Sequence, residues 1–286
     1  MPLAPFRLLL GCLLVFAMGG CSTVVTGEAE RFGRNFALAV QDNDSPDVVA
    51  AAMPSYLLLL DALILNNPDV EPLRQAAATL NSVYAGSFEK NAENRKTLND
   101  KALKYAFQSL CLRDKRLCEP RSLKLDELQA ILDGKGKGDV SALYVAGSVW
   151  AGWVQANSDD WNAVADLSRV EAIMRRVTVL DPAYEHGMPH VYLGVLATVL
   201  TPALGGRPDE GRREFEAAIA LSGGQNLMAK VYYARNYARG VFDRALHDRL
   251  LGEVLAADPH APGFTLGNML ARREAADLMK SADDYF

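Results

Sequence analysis

The sequence predicts an all-α chain, an array of helical pairs with about ten to twelve helices. Apolar residues recur three or four positions apart in most segments, as in the stripe of Leu143, Ala146, Trp150 and Trp153. This is the period of an α-helix that buries one face. The alternation of apolar and polar residues that is typical of strands does not extend over any convincing stretch. Prolines and glycines interrupt the stripes at short intervals, so we expect short loops between the helices.

The positions of proline and glycine predict where individual helices begin and end. Pro54 and Pro72 are expected at helix starts, where the missing N–H of proline costs no hydrogen bond. The glycine pairs at 205–206 and 223–224 enclose a predicted helix at residues 208–222. Three segments are expected to stop the helix before them: Asn66–Pro68, Asp181–Pro182 and Asp258–Pro259.

Residues 1–20 have the features of a secretory signal peptide. One basic residue, Arg7, precedes an apolar run from Leu8 to Met18, which suits a signal peptide and is too short to span a bilayer. The run ends in Met18-Gly19-Gly20-Cys21, which resembles the lipobox of bacterial lipoproteins. In that motif the cysteine thiol receives a lipid and becomes the first residue after cleavage. An ordinary secretory peptide followed by an incidental cysteine is the alternative.

A lipid on Cys21 predicts a peripheral protein of the bacterial envelope. Two or more acyl chains give stable attachment to a membrane, so we expect a lipid-anchored protein that faces the periplasm. Ser22 after the cysteine resembles the outer-membrane sorting choice of such lipoproteins. No cofactor is predicted other than this covalent lipid. No later segment has 18 uninterrupted apolar residues, so no membrane-spanning helix is predicted.

The remainder of the chain is predicted to be a tether followed by one helical domain. Residues 21–44 form the lipidated N-terminus and tether, and residues 45–286 form the domain. The glycine- and lysine-rich segment 133–138 is predicted to be a flexible joint. It separates an N-terminal half, 45–132, from a C-terminal half, 139–286.

Part of the C-terminal half resembles a tetratricopeptide (TPR) repeat, in which small residues let two helices approach and an aromatic ring fills the gap. Here the small residues are Gly194 and Gly211, and the ring is that of Phe215. The domain is therefore predicted to be TPR-like, an α-solenoid or bundle. A generic helical bundle with helix-stopping prolines is the alternative.

Cys111 and Cys118 are the two cysteines that remain once Cys12 is removed with the signal peptide and Cys21 carries lipid. In an oxidising periplasm they could form a disulfide that closes a short loop. Free thiols are the alternative. A metal site would need further ligands nearby, and none stands out.

No motif predicts catalysis. His186 and His190 are four residues apart, but Gly187 and Pro189 lie between them, so a metal-binding helix through both is disfavoured. We expect His186 in a loop and His190 at the start of the next helix. The sequence has no nucleophile elbow, phosphate-binding loop or acid/base pair. A net charge of −5 argues against binding to nucleic acid.

Four segments of the C-terminal half carry a resemblance to a known family: Ala151–Asn157, Met174–Gly194, Pro202–Ile219 and Ser222–Arg239. They are similar to the T component associated with TRAP (tripartite ATP-independent periplasmic) transporters. The similarity extends from about residue 45 onwards and is densest between residues 142 and 260. The resemblance implies a non-catalytic, TPR-like periplasmic lipoprotein that partners the solute-binding receptor of a TRAP system. It also implies a homo-oligomer and an apolar small-molecule ligand in a helical cavity or pore.

Helix-spaced aromatic residues support either a packed core or such a cavity. Eight residues within or directly beside the similar segments are therefore candidates for lining a cavity or a partner-docking face: Trp150, Trp153, Asn157, His190, Asn226, Lys230, Tyr233 and Tyr237. A TPR-type envelope scaffold that binds peptides or outer-membrane machinery is the alternative function. A metal-dependent hydrolase centred on His186 and His190 is a third hypothesis.

Overall fold

The computed structural model describes residues 35–286, so the predicted signal peptide, Cys21 and most of the predicted tether lie outside the described residues. The described part contains thirteen α-helices, α2–α14, preceded by a helical stretch at residues 35–41 (α1), and it contains no strand. The predicted all-α class is confirmed, with slightly more helices than expected.

The helices pack as pairs along the chain. Their bounds are α2 Pro46–Asn66, α3 Glu71–Ser87, α4 Ala92–Arg113, α5 Leu125–Asp133, α6 Val140–Ala156, α7 Trp161–Ala165, α8 Leu167–Leu180, α9 Met188–Thr198, α10 Pro208–Leu221, α11 Leu227–Tyr232, α12 Arg244–Ala256, α13 Thr265–Lys280 and α14 Ala282–Tyr285. A π-helical segment, Tyr233–Ala238, continues α11.

Most of the predicted helix ends agree with these bounds. Helix α2 ends at the first residue of the Asn66–Pro68 segment, α8 and α12 end just before the other two proline-containing segments, and α10 occupies the interval between the two glycine pairs. Pro72 lies in the first turn of α3. The prediction for Pro54 is wrong, because Pro54 lies inside α2, which begins at Pro46. The stripe of Val49, Met53 and Leu57 is buried on both sides of Pro54, and this packing favours one continuous helix despite the lost backbone hydrogen bond.

Two main hydrophobic cores divide the domain, and their boundary is not at residues 133–138. The first core joins α3–α6 with α8, so it contains helices from before and after the 133–138 segment. The second core joins α9–α13. Between them, residues 184–187 form a short turn in which Glu185 and His186 both have positive φ, at 45° and 55°. Such conformations are uncommon for non-glycine residues, and they reverse the chain direction from one core to the next.

The segment predicted to be a flexible joint is held by side chains from α4, from α8 and from Asp114, which directly follows α4. Arg113 of α4 donates to the carbonyl oxygen of Gly138 at 2.8 Å, and Arg176 of α8 donates to the carbonyl oxygen of Asp133 at 2.9 Å. The Nζ of Lys135 donates to Asp114 at 2.5 Å. Hydrogen bonds from Arg116 and Lys135 hold the pKa of the Asp114 carboxyl well below its usual value.

The pair α9–α10 has the close approach predicted from the TPR-like residues. An added Cβ at Gly194 would lie 2.9 Å from three ring atoms of Phe215, which is fully buried. An added Cβ at Gly211 would lie 3.1 Å from the backbone oxygen of Gly194. The two glycines therefore let the helix backbones approach, and the phenyl ring fills the space beside them.

The two ends of the domain also meet. Val49 and Met53 of α2 pack with Leu266 of α13 in a third, smaller core. Asp47 accepts hydrogen bonds from Arg273 at 3.0 and 3.1 Å, and the backbone N–H of Gly263 donates to Asp42 at 2.5 Å. Helix-to-helix contacts therefore run from α2 through α3, α6, α8, α9, α11 and α13 and back to α2.

Candidate functional site

Trp150 and Trp153, the two tryptophans predicted to line a cavity or docking face, are buried in the first core. The indole N–H of Trp150 donates to Asp166 at 3.2 Å, and that of Trp153 donates to Asp100 at 2.6 Å. The guanidinium of Arg121 lies 4.4 Å from the centre of the Trp153 ring. Both rings are thus fixed by packing and hydrogen bonds, which indicates a structural role.

Asp166 is the polar centre of this region. Its buried carboxylate accepts from Trp150, from Arg121 Nε at 2.7 Å and from Arg169 Nη1 at 3.4 Å. Arg169 also donates to the carbonyl oxygen of Leu123 at 2.8 Å. The carboxylate therefore links α6 and α8 to the loop before α5.

The predicted polar site residues are engaged within the fold. Asn157 follows the last residue of α6 and donates to the carbonyl oxygen of Trp153 at 2.9 Å. Asn226 caps the start of α11, where its side chain accepts from the N–H of Ala229 at 3.4 Å. Lys230 pairs with Glu253 at 2.7 Å.

His190 lies in the first turn of α9, as predicted, and His186 lies exposed in the turn before it. His190 Nδ1 is 2.6 Å from Glu214 of α10, and its buried Nε2 has no hydrogen-bond partner among residues 35–286. Within residues 35–286, no group of three or more histidine, cysteine, aspartate or glutamate side chains could hold a metal ion.

Tyr233 and Tyr237 are buried in the second core. The Tyr233 ring stacks on Phe215 with centroids 5.4 Å apart and touches Tyr237 at 5.3 Å. The Tyr233 hydroxyl donates to Glu216 at 3.2 Å. The structure thus places these two rings at the α10–α11 contact.

A different group of tyrosines forms the most distinctive polar and aromatic feature, and we call it the tyrosine cluster: Tyr144 of α6, Tyr184 of the 184–187 turn, Tyr192 of α9 and Tyr232 of α11. The Tyr144 ring meets Tyr184 and Tyr192 edge-on, with centroids 5.2 and 6.2 Å apart. Arg235 lies 4.5 Å from the centre of the Tyr232 ring and donates to Glu274 of α13 at 2.5 Å. The cluster thus lies between the first core and the part of the second core that contains α13.

The hydroxyl groups of the tyrosine cluster are strongly desolvated. All four side chains keep partial contact with solvent, yet burial raises the pKa of every one of them, most strongly for Tyr144. Burial has this effect because it disfavours the charged phenolate form. The hydroxyl groups are neutral at physiological pH, so each can donate or accept a hydrogen bond.

The sequence-based candidates did not include Tyr144, Tyr184 or Tyr192. The helical period did carry a signal for one of them, because Tyr144 lies off the buried stripe of α6 and shares its face with Ser148, one turn later. A side-chain hydrogen bond with Ser148 lowers the pKa of Tyr192 and so partly offsets the rise that burial causes. Only the fold brings the rings of separate helices together.

Cys111 at the end of α4 and Cys118 form a disulfide, with Cα atoms 4.2 Å apart. It closes the turn that carries Asp114 and Arg116. A depression lined by Leu110, Leu117 and Leu143 lies nearby, and it has no room for a ligand.

The fold and the tyrosine cluster define a class: an all-α protein of packed helical pairs with a group of desolvated tyrosines between its two main cores. Comparison with known proteins is more specific. The chain matches the family described as TRAP transporter T-component (TAtT) over residues 41–286, and it belongs to that family. This is a family of transporter accessory components and not a known enzyme family.

One curated relative is a bacterial protein without an assigned role. The chain is 25% identical over 273 residues to an uncharacterized protein of Treponema pallidum (strain Nichols). The match covers 88% of this chain and 84% of the relative. The similarity therefore extends along nearly the whole of both chains.

Proposed function

We propose that this chain is a non-catalytic periplasmic lipoprotein of a TRAP-type transporter, which binds the solute receptor and holds a small apolar ligand at the tyrosine cluster. Membership of the T-component family over residues 41–286 is the observation that carries the proposal. The association of that family with TRAP transporters suggests a place in the cell envelope. The signal-like N-terminus and Cys21 supply the proposed anchor.

The tyrosine cluster supports the ligand part of the proposal. Four rings from three helices and one turn offer apolar faces, and their neutral hydroxyl groups offer donors in a desolvated setting. Sites for small molecules commonly combine aromatic walls with a few polar groups. A ligand with an apolar body and one or two acceptor groups fits this chemistry.

Receptor binding is tested with the mature chain and the TRAP solute receptor encoded nearest to its gene. Isothermal titration calorimetry should show saturable binding between the two proteins. No binding to that receptor would contradict the transporter role. Binding to extended peptides instead would favour the scaffold function.

Ligand binding is tested by native mass spectrometry of the chain purified from its own envelope. A bound small molecule should be seen in the wild type and lost in the Tyr144→Ala and Tyr192→Ala variants. Tyr285→Ala is the matched control, because Tyr285 lies outside the cluster in the last helix. Equal retention of the ligand in all variants would remove the tyrosine cluster from the proposal.

A further inference from the structure

Helix α2 carries an apolar surface that the other described helices leave exposed. One of its faces, with Val49, Met53, Leu57 and Ile64, is buried against the protein. Leu58 and Leu65 lie on the outward side and are 70% and 83% exposed. Val48, Tyr56, Leu59 and Leu63 are also exposed. By length and composition alone, α2 is apolar enough to cross a membrane, with a mean hydropathy of 2.1 in an 18-residue window.

Beyond its first turn, the outward surface of α2 has no charged side chain. The helix contains no basic residue, and both of its acidic residues are engaged at its edges. Asp61 accepts from Lys101 and, at 2.8 Å, from Tyr105 of α4. Asp47 is paired with Arg273 of α13. Exposed apolar surface of this extent, bordered by ion pairs, indicates an interaction site.

The width of this surface distinguishes between kinds of partner. Seen along the helix, exposed positions form two adjacent rows, at 48, 51, 55, 58, 62 and 65 and at 52, 56, 59 and 63. A seam for one partner helix is narrow, with one such row. Two rows together cover about half of the helix circumference, which suits immersion in a fluid apolar phase.

The proposed anchor places this surface near such a phase. Thirteen residues separate Cys21 from Asn35, the first described residue. Even fully extended they span at most about 45 Å. Exposed apolar side chains resume soon after this tether, with Leu38 of α1, and continue onto α2.

We propose that the outward surface of α2 rests on the membrane that holds the acyl chains of Cys21, with Leu58 and Leu65 inserted among the lipids. An apolar helix face sinks about 5–10 Å into the boundary between headgroups and acyl chains. The anchor makes this contact intramolecular, so a weak affinity for lipid is sufficient. The inference rests on the proposed function for the lipid anchor that brings α2 to the membrane. The affinity of α2 for lipid does not depend on that anchor.

The test separates α2 from the anchor by using the mature chain with Cys21→Ser, which carries no acyl chain. Binding to vesicles of phosphatidylethanolamine and phosphatidylglycerol is measured by co-flotation. A double variant, Leu58→Gln with Leu65→Gln, should bind the vesicles at least about tenfold more weakly than the wild type, because two inserted side chains become polar. The matched control is Val179→Gln with Phe242→Gln, at positions 71% and 70% exposed on other elements, which should bind like the wild type.

Three results would overturn the inference. The first is an unmodified chain that does not float with vesicles, and the second is equal flotation of the double variant. The third is an unmodified chain that is oligomeric and a double variant that is monomeric by light scattering, with neither protein bound to vesicles. The surface would then join copies of the protein. Salt should change flotation little, because the contact is uncharged. Loss of receptor binding with flotation intact would contradict the proposed function and leave this inference standing.

Discussion

Replacement of Asp166 by alanine should remove the polar centre of the first core. In the wild type the carboxylate accepts from the buried indole N–H of Trp150 and pairs with Arg121 and Arg169. After truncation the indole donor has no acceptor in the fold, because Trp150 is fully buried. The two arginines keep some access to water, with side chains 39% and 21% exposed.

The size of the effect follows from these exposures. An unsatisfied buried donor costs roughly 1–3 kcal/mol, and a hydrogen bond to a charged group contributes roughly 1.5–3 kcal/mol. Because Arg121 and Arg169 can be partly rehydrated, we expect Asp166→Ala to lower the free energy of unfolding by about 3–4 kcal/mol. Asp166→Asn keeps an acceptor for Trp150 and loses only the ion pairs, so about 1–2 kcal/mol is expected.

The assay is urea unfolding followed by far-ultraviolet circular dichroism at neutral pH. Asp283→Ala serves as the control, because the Asp283 side chain is 86% exposed in its ion pair with Arg244, and loss of this pair should cost less than about 1 kcal/mol. The reasoning is refuted by equal losses for the alanine and asparagine variants of Asp166. It is equally refuted if the alanine variant loses no more than the Asp283 control.

Three further predictions concern stability. Gly194→Ala should lower the free energy of unfolding by about 1–2 kcal/mol, since the added methyl group would overlap the Phe215 ring. Gly252→Ala is the control, because no atom lies within 4 Å of the new Cβ. This control should raise the free energy of unfolding by about 0.5–1 kcal/mol. Reduction of the Cys111–Cys118 disulfide should cost about 2.5 kcal/mol in thermal or urea unfolding, the chain-entropy value for so short a loop, and an unchanged midpoint would contradict this. The pKa of Asp114 is lower in the folded than in the unfolded state, so its contribution is present above about pH 4 and is lost as the pH falls through the folded-state value; Asp114→Asn should therefore show a shallower acid dependence of stability than the wild type, and identical pH profiles would count against it.

Local patterns in the sequence were sufficient for the helices but not for every boundary. The stop signals before Pro68, Pro182 and Pro259 act within a few residues of the helix they end, so they could be predicted. Pro54 was misjudged because its local cost is outweighed by burial of Val49, Met53 and Leu57, which depends on helices far along the chain. Local propensity is a weak guide where tertiary packing decides.

The candidate site was harder to predict for a related reason. Helical period identifies which side chains are apolar and share a face, and it points to Trp150 and Tyr233, which the structure buries in the two main cores. It cannot distinguish a face that is fully packed from a face that keeps partial contact with solvent. Tyr144, Tyr192 and Tyr232 become neighbours only when α6, α9 and α11 are assembled, since they are far apart in sequence.

The contact between α2 and α13 has a consequence for how the array can come apart. In an open array of helical pairs each unit touches only its neighbours, so terminal units fray independently and at low cost. Here α2 and α13, which lie near the two ends of the domain, stabilise each other through Val49, Met53 and Leu266 and through the Asp47–Arg273 pair. Opening either end therefore exposes the surface of the other. Because the contacts form a closed circuit, we expect the helical pairs to unfold together as one cooperative unit. Loss of α2 would then destabilise α13, although the two helices are far apart in the sequence.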